Sequence, residues 1–254
     1  MFQYVFCFLF LYLLSPAGAF DGYIIGGKEA KPHSRPYMAS LQIDGHHVCG
    51  GFLVREDFVL TAAHCYKNKP ITVVLGAHNV RKHEKSQQRI EVKKYHKHGL
   101  KSLSQFDFDI MLLKLQKNAV LNQNVRVLPL PSKGTDVPEG TVCFVSGWGM
   151  RKPNGAAETV LREASLVVQN NQQCKKVWQN NFSIKTMMCT LFNGKAGICQ
   201  GDSGGPLICK SKALGLALYT AQRCDDSDYP QVYLNVSRYL PWIKKTMKTK
   251  KEMP

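Results

Sequence analysis

The chain is written in short apolar runs separated by glycine, proline, asparagine and aspartate, and that punctuation rules out most architectures at once. Strand-like patches lie at 37–43, 51–60, 71–76, 88–92 and 110–115, and the theme returns at 141–145, 163–168, 206–210, 213–219 and 231–235. Many short strands at this spacing predict an all-β architecture, a sandwich or a pair of barrels. The clearest helical stretch is the last, 237–248, where Tyr239, Leu240, Ile243 and Met247 recur at helical spacing against Lys244, Lys245 and Lys248. Pro241 is tolerable there only near the first turn, because proline removes a donor that a helix interior needs. Pro129, Pro131 and Pro138, with Gly134 and Gly140, mark a linker near the midpoint that divides residues 24–128 from 129–254.

An uncharged apolar run at 5–14 precedes Ser15-Pro16-Ala17-Gly18-Ala19. It is too short to span a bilayer and ends in a small-x-small site, so residues 1–19 read as a secretory signal. No later segment is long and apolar enough to span a membrane. One of the nine cysteines, Cys7, lies in that signal, which leaves an even set for the remainder. In a secreted chain this favours four disulfides over metal or redox chemistry, and spacing alone leaves the pairing open. Sequons at Asn181-Phe182-Ser183 and Asn235-Val236-Ser237 fit the same compartment.

The residues with chemical promise are scattered. Ser203 stands in Gly201-Asp202-Ser203-Gly204-Gly205-Pro206, where flanking glycines suit a tight turn that exposes a hydroxyl and lets a substrate backbone come close. A serine nucleophile needs a base to take its proton and an acid to hold that base. His64, in Thr61-Ala62-Ala63-His64-Cys65, follows an apolar run and sits beside a cysteine able to pin its loop. Asp109 opens the apolar strand Ile110-Met111-Leu112-Leu113, and a carboxylate entering a buried strand is costly unless paired; a histidine N–H suits it. Phe106 and Phe108 beside it would exclude water. The other histidines, His46, His47, His96 and His98 among them, are expected at the surface, and no metal or cofactor is expected.

Those three blocks, with Ser146-Gly147-Trp148-Gly149 and the opening Ile24-Ile25-Gly26-Gly27, resemble the signature segments of chymotrypsin-like serine proteases, in that family's order, over nearly all of residues 24–248. Residues 24–38 resemble the granzyme and mast-cell protease branch in particular. The resemblance implies two packed antiparallel β-barrels with the site between them and a C-terminal α-helix. It implies that Ser203 is the nucleophile, that His64 is the base and that Asp109 orients it. The N–H groups of Gly201 and Ser203 form the oxyanion hole, roughly 3–4 kcal/mol per donor in such enzymes. It pairs Cys49–Cys65, Cys143–Cys209, Cys174–Cys189 and Cys199–Cys224. It also implies activation by cleavage before Ile24, whose freed amine pairs with Asp202. The preceding Tyr23 is unsuited to a trypsin-like activator; residues 20–23 form two dipeptides, Phe20-Asp21 and Gly22-Tyr23, that a dipeptidyl peptidase can remove stepwise.

Specificity follows from the same alignment. Six residues before Ser203, Gly197 takes the pocket-floor position, where no charge is available for Lys or Arg. Ile198, Gln200, Tyr219 and Thr220 are expected on the wall and Gln231 at a second floor position, which predicts cleavage after Val, Ala, Leu or Met, with a polar preference through Gln231. Leu218 departs from the family's usual serine and cannot support Asp109 with a hydroxyl. The formal net charge is +16, and residues 1–23 contribute only Asp21 to it. Lysines and arginines crowd 67–101 and the tail through Lys250 and Lys251, which predicts attraction to a polyanion, a sulfated proteoglycan in the granule-stored branch. A secreted, granule-stored monomer acting on proteins or peptides is the leading expectation. The alternative is a catalytically weak protein of the same fold that acts as a cationic glycan-binding or antimicrobial module.

Overall fold

Asp44-Gly45 joins strands β2 (Met38–Ile43) and β3 (His46–Arg55) as a two-residue turn with φ of 51° and 77°, the mirror-image turn whose twist suits a hairpin. This turn sets the pairing of Ile43 with His46 and of Gln42 with His47, and a bulge between Leu41 and Gln42 then shifts the register before Ser40 meets Gly50. In the computed structural model, which describes residues 24–99, 106–150 and 152–248, the hairpin is extended by β4 (Phe58–Thr61), β5 (Thr72–Leu75), β6 (Gln88–Lys97) and β7 (Met111–Leu115). These six close an antiparallel barrel in the order β2-β3-β4-β7-β6-β5. A second barrel follows from β8 (Val142–Gly147), β9 (Arg162–Gln169), β10 (Met187–Thr190), β11 (Pro206–Cys209), β12 (Lys212–Tyr219) and β13 (Gln231–Asn235), closed by pairing of β8 with β9. The architecture is therefore all-β, two closed six-strand antiparallel barrels and a C-terminal helix, as expected.

The alternation of each strand explains the packing. In β9, Ala164, Leu166 and Val168 point into the second barrel while Ser165 and Val167 face out. In β2 every residue is buried. Ala39, Leu41 and Ile43 fill the first barrel, whereas Met38, on the opposite face, packs with Trp148 and Leu161 of the second half. Burial on both faces places β2 at the seam between the halves.

The termini cross that seam. Strand β1 (Lys28–Glu29) pairs with β9, and Ile24 packs with Val145 and Ile198 in the core of the second barrel. Helix α2 (Val236–Lys248) leaves β13 of the second barrel and returns to the first, where Arg55 donates to the Met247 carbonyl at 2.7 Å. His98, just past β6, packs against Tyr239 and Trp242 of α2. Disulfides join Cys49–Cys65 in the first half and Cys143–Cys209, Cys174–Cys189 and Cys199–Cys224 in the second; none of these joins one half to the other.

Several local expectations change. The 51–60 patch is two strands, broken at Glu56-Asp57, where Asp57 is bound by Arg55 and Lys114. Burial alone would raise the Asp57 carboxyl, but those two cations outweigh it and hold it below the usual carboxylate range. Strand β10 and helix α1 (Asn171–Trp178) were not foreseen; α1 is capped by the Asn170 side chain accepting from the Gln172 N–H. Pro241 sits inside α2, at its sixth residue rather than in its first turn. The helix tolerates it because Tyr239, Leu240 and Ile243 are buried around it. No helix among the described residues is long and apolar enough to cross a membrane. The expected signal and activation segments at 1–23, with Lys101, Lys250 and Lys251, lie outside the described residues.

Candidate active site

His64 lies on a single 3₁₀ turn, Ala63–Cys65, directly after β4, and the Cys49–Cys65 disulfide ties that turn to β3. Asp109 is 7% exposed just before β7 and grips the histidine twice. Its Oδ1 accepts the His64 backbone N–H at 2.7 Å, and its Oδ2 meets the ring Nδ1 at 2.5 Å. An ionised carboxylate can only accept, so Nδ1 carries the proton and Nε2 is left as the lone-pair nitrogen. Phe106 and Phe108 are half-buried beside Asp109 and pack on the core.

Ser203 is on the loop before β11, pressed between the barrels. Its carbonyl accepts the Gly50 N–H of β3 at 2.9 Å, and the Gly204 N–H donates to Ala217 of β12 at 2.8 Å. A Cβ at Gly204, whose φ is +81°, would lie 2.2 Å from Thr61 Oγ1 and 2.6 Å from the Gly50 carbonyl oxygen. Glycine is thus required there by both space and conformation. The Ser203 hydroxyl donates to the Leu218 carbonyl at 3.3 Å. Leu218 itself is 2% exposed, with its side chain in the core, so it touches the site through its main chain.

The two residues before Ser203 are held by groups that the sequence did not identify. Gly201 has φ +97°, and its carbonyl accepts from His47 Nε2 at 3.0 Å. His47 Nδ1 meets Ser40 Oγ at 2.8 Å across the β2–β3 hairpin, and its ring packs edge-on to Trp148 with centroids 5.8 Å apart. Nε2 therefore carries the proton and Nδ1 accepts the serine hydroxyl. Lost hydration pushes this histidine down to about 4. The expectation of a surface histidine at His47 is corrected: it is half-buried and buttresses Gly201. His98 is likewise half-buried, stacked on Phe108 with centroids 4.7 Å apart. The signal available for His47 was the Asp44-Gly45 turn, whose register brings it across from Gln42 and next to Ser40.

Asp202 is 2% exposed. Its oxygens accept the N–H groups of Gly149 and Cys199, each at 2.9 Å, and burial nevertheless pushes its pKa up to about 7. Side chains at Gly147 or Gly149 would collide with the carboxylate, since each Cβ would come within 2.4 Å of it. Ile24 is 1% exposed, and the following Ile25 carbonyl accepts the Gly197 N–H at 2.9 Å, so the start of the described chain runs beside the loop that leads to Asp202.

Beside Ser203 opens a cavity of about 300 Å³ lined by Ile198, Gln200, Tyr219 and Thr220, the expected wall residues, together with Cys199, Leu218, Ala221 and Gln222. Gln200 Nε2 donates to the Gln222 carbonyl at 3.2 Å across its rim. Gly197 and Gln231, expected at the floor, are not among the residues that line this cavity; they pack on each other next to Ile198. Gln231 is 1% exposed, accepts the Ile198 N–H at 2.8 Å and donates to the Ile198 carbonyl at 3.1 Å. A Cβ at Gly197 would lie 2.0 Å from Gln231 Nε2, so the two residues fill one space. One donor and one acceptor of the Gln231 amide are engaged with Ile198. Above the cavity, Tyr219 packs between Phe106 and Trp178, with centroids 4.5 and 4.9 Å away. Cys49, His64 and Cys65 bring three potential ligand atoms together, but the two sulfurs are bonded to one another and offer no thiolate.

The geometry can be set beside known proteins. A family model described as Trypsin matches residues 24–243. Granzyme B of Rattus norvegicus is 47% identical over 232 residues, covering 89% of this chain and 92% of that protein. Cathepsin G of Homo sapiens is 42% identical over 246 residues, covering 95% of this chain and 94% of its own. A solved structure of GrC is similar with a TM-score of 0.80 at 43% identity, over 88% of this chain and 99% of that one. The chain belongs to the trypsin family, as a chymotrypsin-like serine endopeptidase of the granzyme branch.

Proposed function

We propose that the mature enzyme begins at Ile24 and cleaves polypeptides after small or medium uncharged side chains such as Val, Ala, Leu and Met. The hydroxyl of Ser203 turns from the Leu218 carbonyl toward His64 and attacks the scissile carbonyl carbon while Nε2 takes its proton. The resulting oxyanion accepts from the N–H groups of Gly201 and Ser203. Its collapse breaks the C–N bond, His64 returns the proton to the leaving amine, and an ester to Ser203 remains. Water then gives its proton to His64 and attacks the ester, which frees the carboxylic acid and restores Ser203. Asp109 supports this cycle by fixing Nδ1–H and stabilising the imidazolium as it forms.

The observation that supports the specificity is the uncharged lining of the cavity beside Ser203: none of its residues carries a charge, so a buried Lys or Arg would be left without a partner. Activation by removal of residues 20–23, two dipeptides suited to a dipeptidyl peptidase, rests on Asp202. A buried carboxylate held by two N–H groups is the receiver that a freed Ile24 ammonium needs. Storage in secretory granules and attraction to a sulfated polyanion rest on exposed Lys93, Lys94 and Lys97 of β6 and on Lys244, Lys245 and Lys248 of α2. Contacts of His98 with α2 bring these two elements onto one face.

Peptide-library cleavage by protein beginning at Ile24, with Ser203→Ala as the blank, tests the reading. Dominant cleavage after Val, Ala, Leu or Met is expected, with no turnover in the blank. Dominant cleavage after Arg or Lys would overturn the specificity, and failure of a fluorophosphonate to label Ser203 would favour a binding protein of protease fold.

A further inference from the structure

The two sequons meet different fates in the fold. Asn235 is 7% exposed and ends β13. Its Oδ1 accepts both the N–H of Ser237 at 3.1 Å and the Ser237 hydroxyl at 2.7 Å, which caps α2. Ser237, the third residue of that sequon, is 1% exposed, and its hydroxyl also lies 2.9 Å from the Thr135 carbonyl. An oligosaccharide has no room at Asn235 while this cap is closed.

Asn181 is the opposite case. It is exposed at the end of a short 3₁₀ turn, Gln179–Asn181, that follows α1. The chain around it is anchored: Phe182 is 1% exposed, and Lys175 Nζ donates to the carbonyls of Gln179 at 2.6 Å and Phe182 at 3.0 Å. The Asn181 carbonyl accepts the Tyr219 hydroxyl at 2.7 Å. Tyr219 lines the same cavity as Ser203, so Asn181 stands one tyrosine ring away from the substrate groove. It lies on the side where β12 ends and where residues preceding the scissile bond would pair with the exposed backbone.

We propose that Asn181, and not Asn235, carries an N-linked oligosaccharide, and that this glycan screens the acyl-side end of the substrate groove. The donor is a polyprenyl-diphosphate-linked oligosaccharide. The Asn181 amide nitrogen forms a bond to the first sugar's anomeric carbon as that carbon's bond to phosphate breaks; the amide proton and the lipid diphosphate leave. The rigid stem at Gln179–Phe182 holds the glycan beside Tyr219 and so discriminates by substrate length. A single-residue ester reaches only the cavity, whereas long peptides and folded proteins must pass the glycan. This consequence rests on the proteolytic reading of the site; the modification itself does not.

The test uses protein secreted from glycosylating animal cells and processed to Ile24, compared with Ser183→Ala, which removes the sequon and keeps Asn181, and with Asn181→Gln. Peptide mass spectrometry is expected to find the oligosaccharide on Asn181 and an unmodified Asn235. Both variants are expected to raise kcat/KM on hexapeptides and on a protein substrate roughly five-fold while leaving a single-residue thioester unchanged. A bare Asn181 in the wild-type enzyme, a glycan on Asn235 in folded protein, or equal hexapeptide rates with and without the Asn181 glycan would each overturn the proposal. Absence of thioester turnover in every form would instead overturn the proteolytic reading, while the mass of the Asn181 peptide still decides the site.

Discussion

An imidazole outside the proposed proton relay holds the carbonyl of Gly201, the residue whose own N–H is proposed to meet the oxyanion. His47 holds the Gly201 carbonyl at 3.0 Å and so restrains Gly201 at its φ of +97°, one residue's torsions from its own N–H. Replacing His47 with Ala should lower kcat/KM about ten-fold, roughly 1.4 kcal/mol, mostly in kcat, because the lost donor acts on a group used in the transition state. Steady-state kinetics on a hexapeptide check this, and His47→Gln, which retains an N–H donor, should recover part of the loss. The same residue sets an acid limit. Its pKa falls from an ordinary 6.5 to about 4 in the fold, so between those values the unfolded chain binds a proton that the folded one refuses. Its contribution to stability is complete above 6.5 and is lost as pH falls toward 4. Thermal melts across that range should slope less steeply in His47→Gln than in the wild type. The proposed triad of His64, Asp109 and Ser203 could be put forward from sequence because each sits in a short local motif. His47 could not, because its partner Gly201 lies 154 residues away and only closure of the two barrels brings them together.

Among the elements, the far end of α2 is tied to the first barrel by a side chain distant in sequence. Arg55 binds Asp57 with its guanidinium and donates to the Met247 carbonyl in the last turn of α2. Arg55→Ala leaves a carboxylate that is 7% exposed with Lys114 as its remaining cation, and uncaps the helix end. A loss of roughly 2–3 kcal/mol is expected in urea unfolding of the Ser203→Ala protein, a background free of self-digestion. Arg55→Lys should restore only part of it, since one ammonium cannot replace a fork that faces two partners. Most strands were legible from their apolar runs. β10 was not: Met187-Met188-Cys189-Thr190 is short and lacks alternation, and it becomes a strand by pairing with β13 and β9. Helix α1 was missed because its only buried residue is Cys174, so no apolar stripe marks it.

For the molecule as a whole, charge was the plainest sequence property and the fold gives it a face. The net charge of +16 includes exposed lysines on β6 and α2, and His98, just past β6, packs on Trp242 of α2. Protein starting at Ile24 should bind immobilised heparin and elute only with added salt, and changing Lys94, Lys244 and Lys245 to Gln should lower the eluting salt concentration. Passage without retention at low salt would remove the polyanion partner. The crossed termini carry a different consequence. The amino end of the described chain belongs to the second barrel's core, the carboxy-terminal helix is clasped by the first barrel, and each of the four disulfides stays within one half. Each half is hostage to the other. A cut in the connecting segment would yield two chains but one body, parted only when β1, α2 and the seam between the barrels all let go.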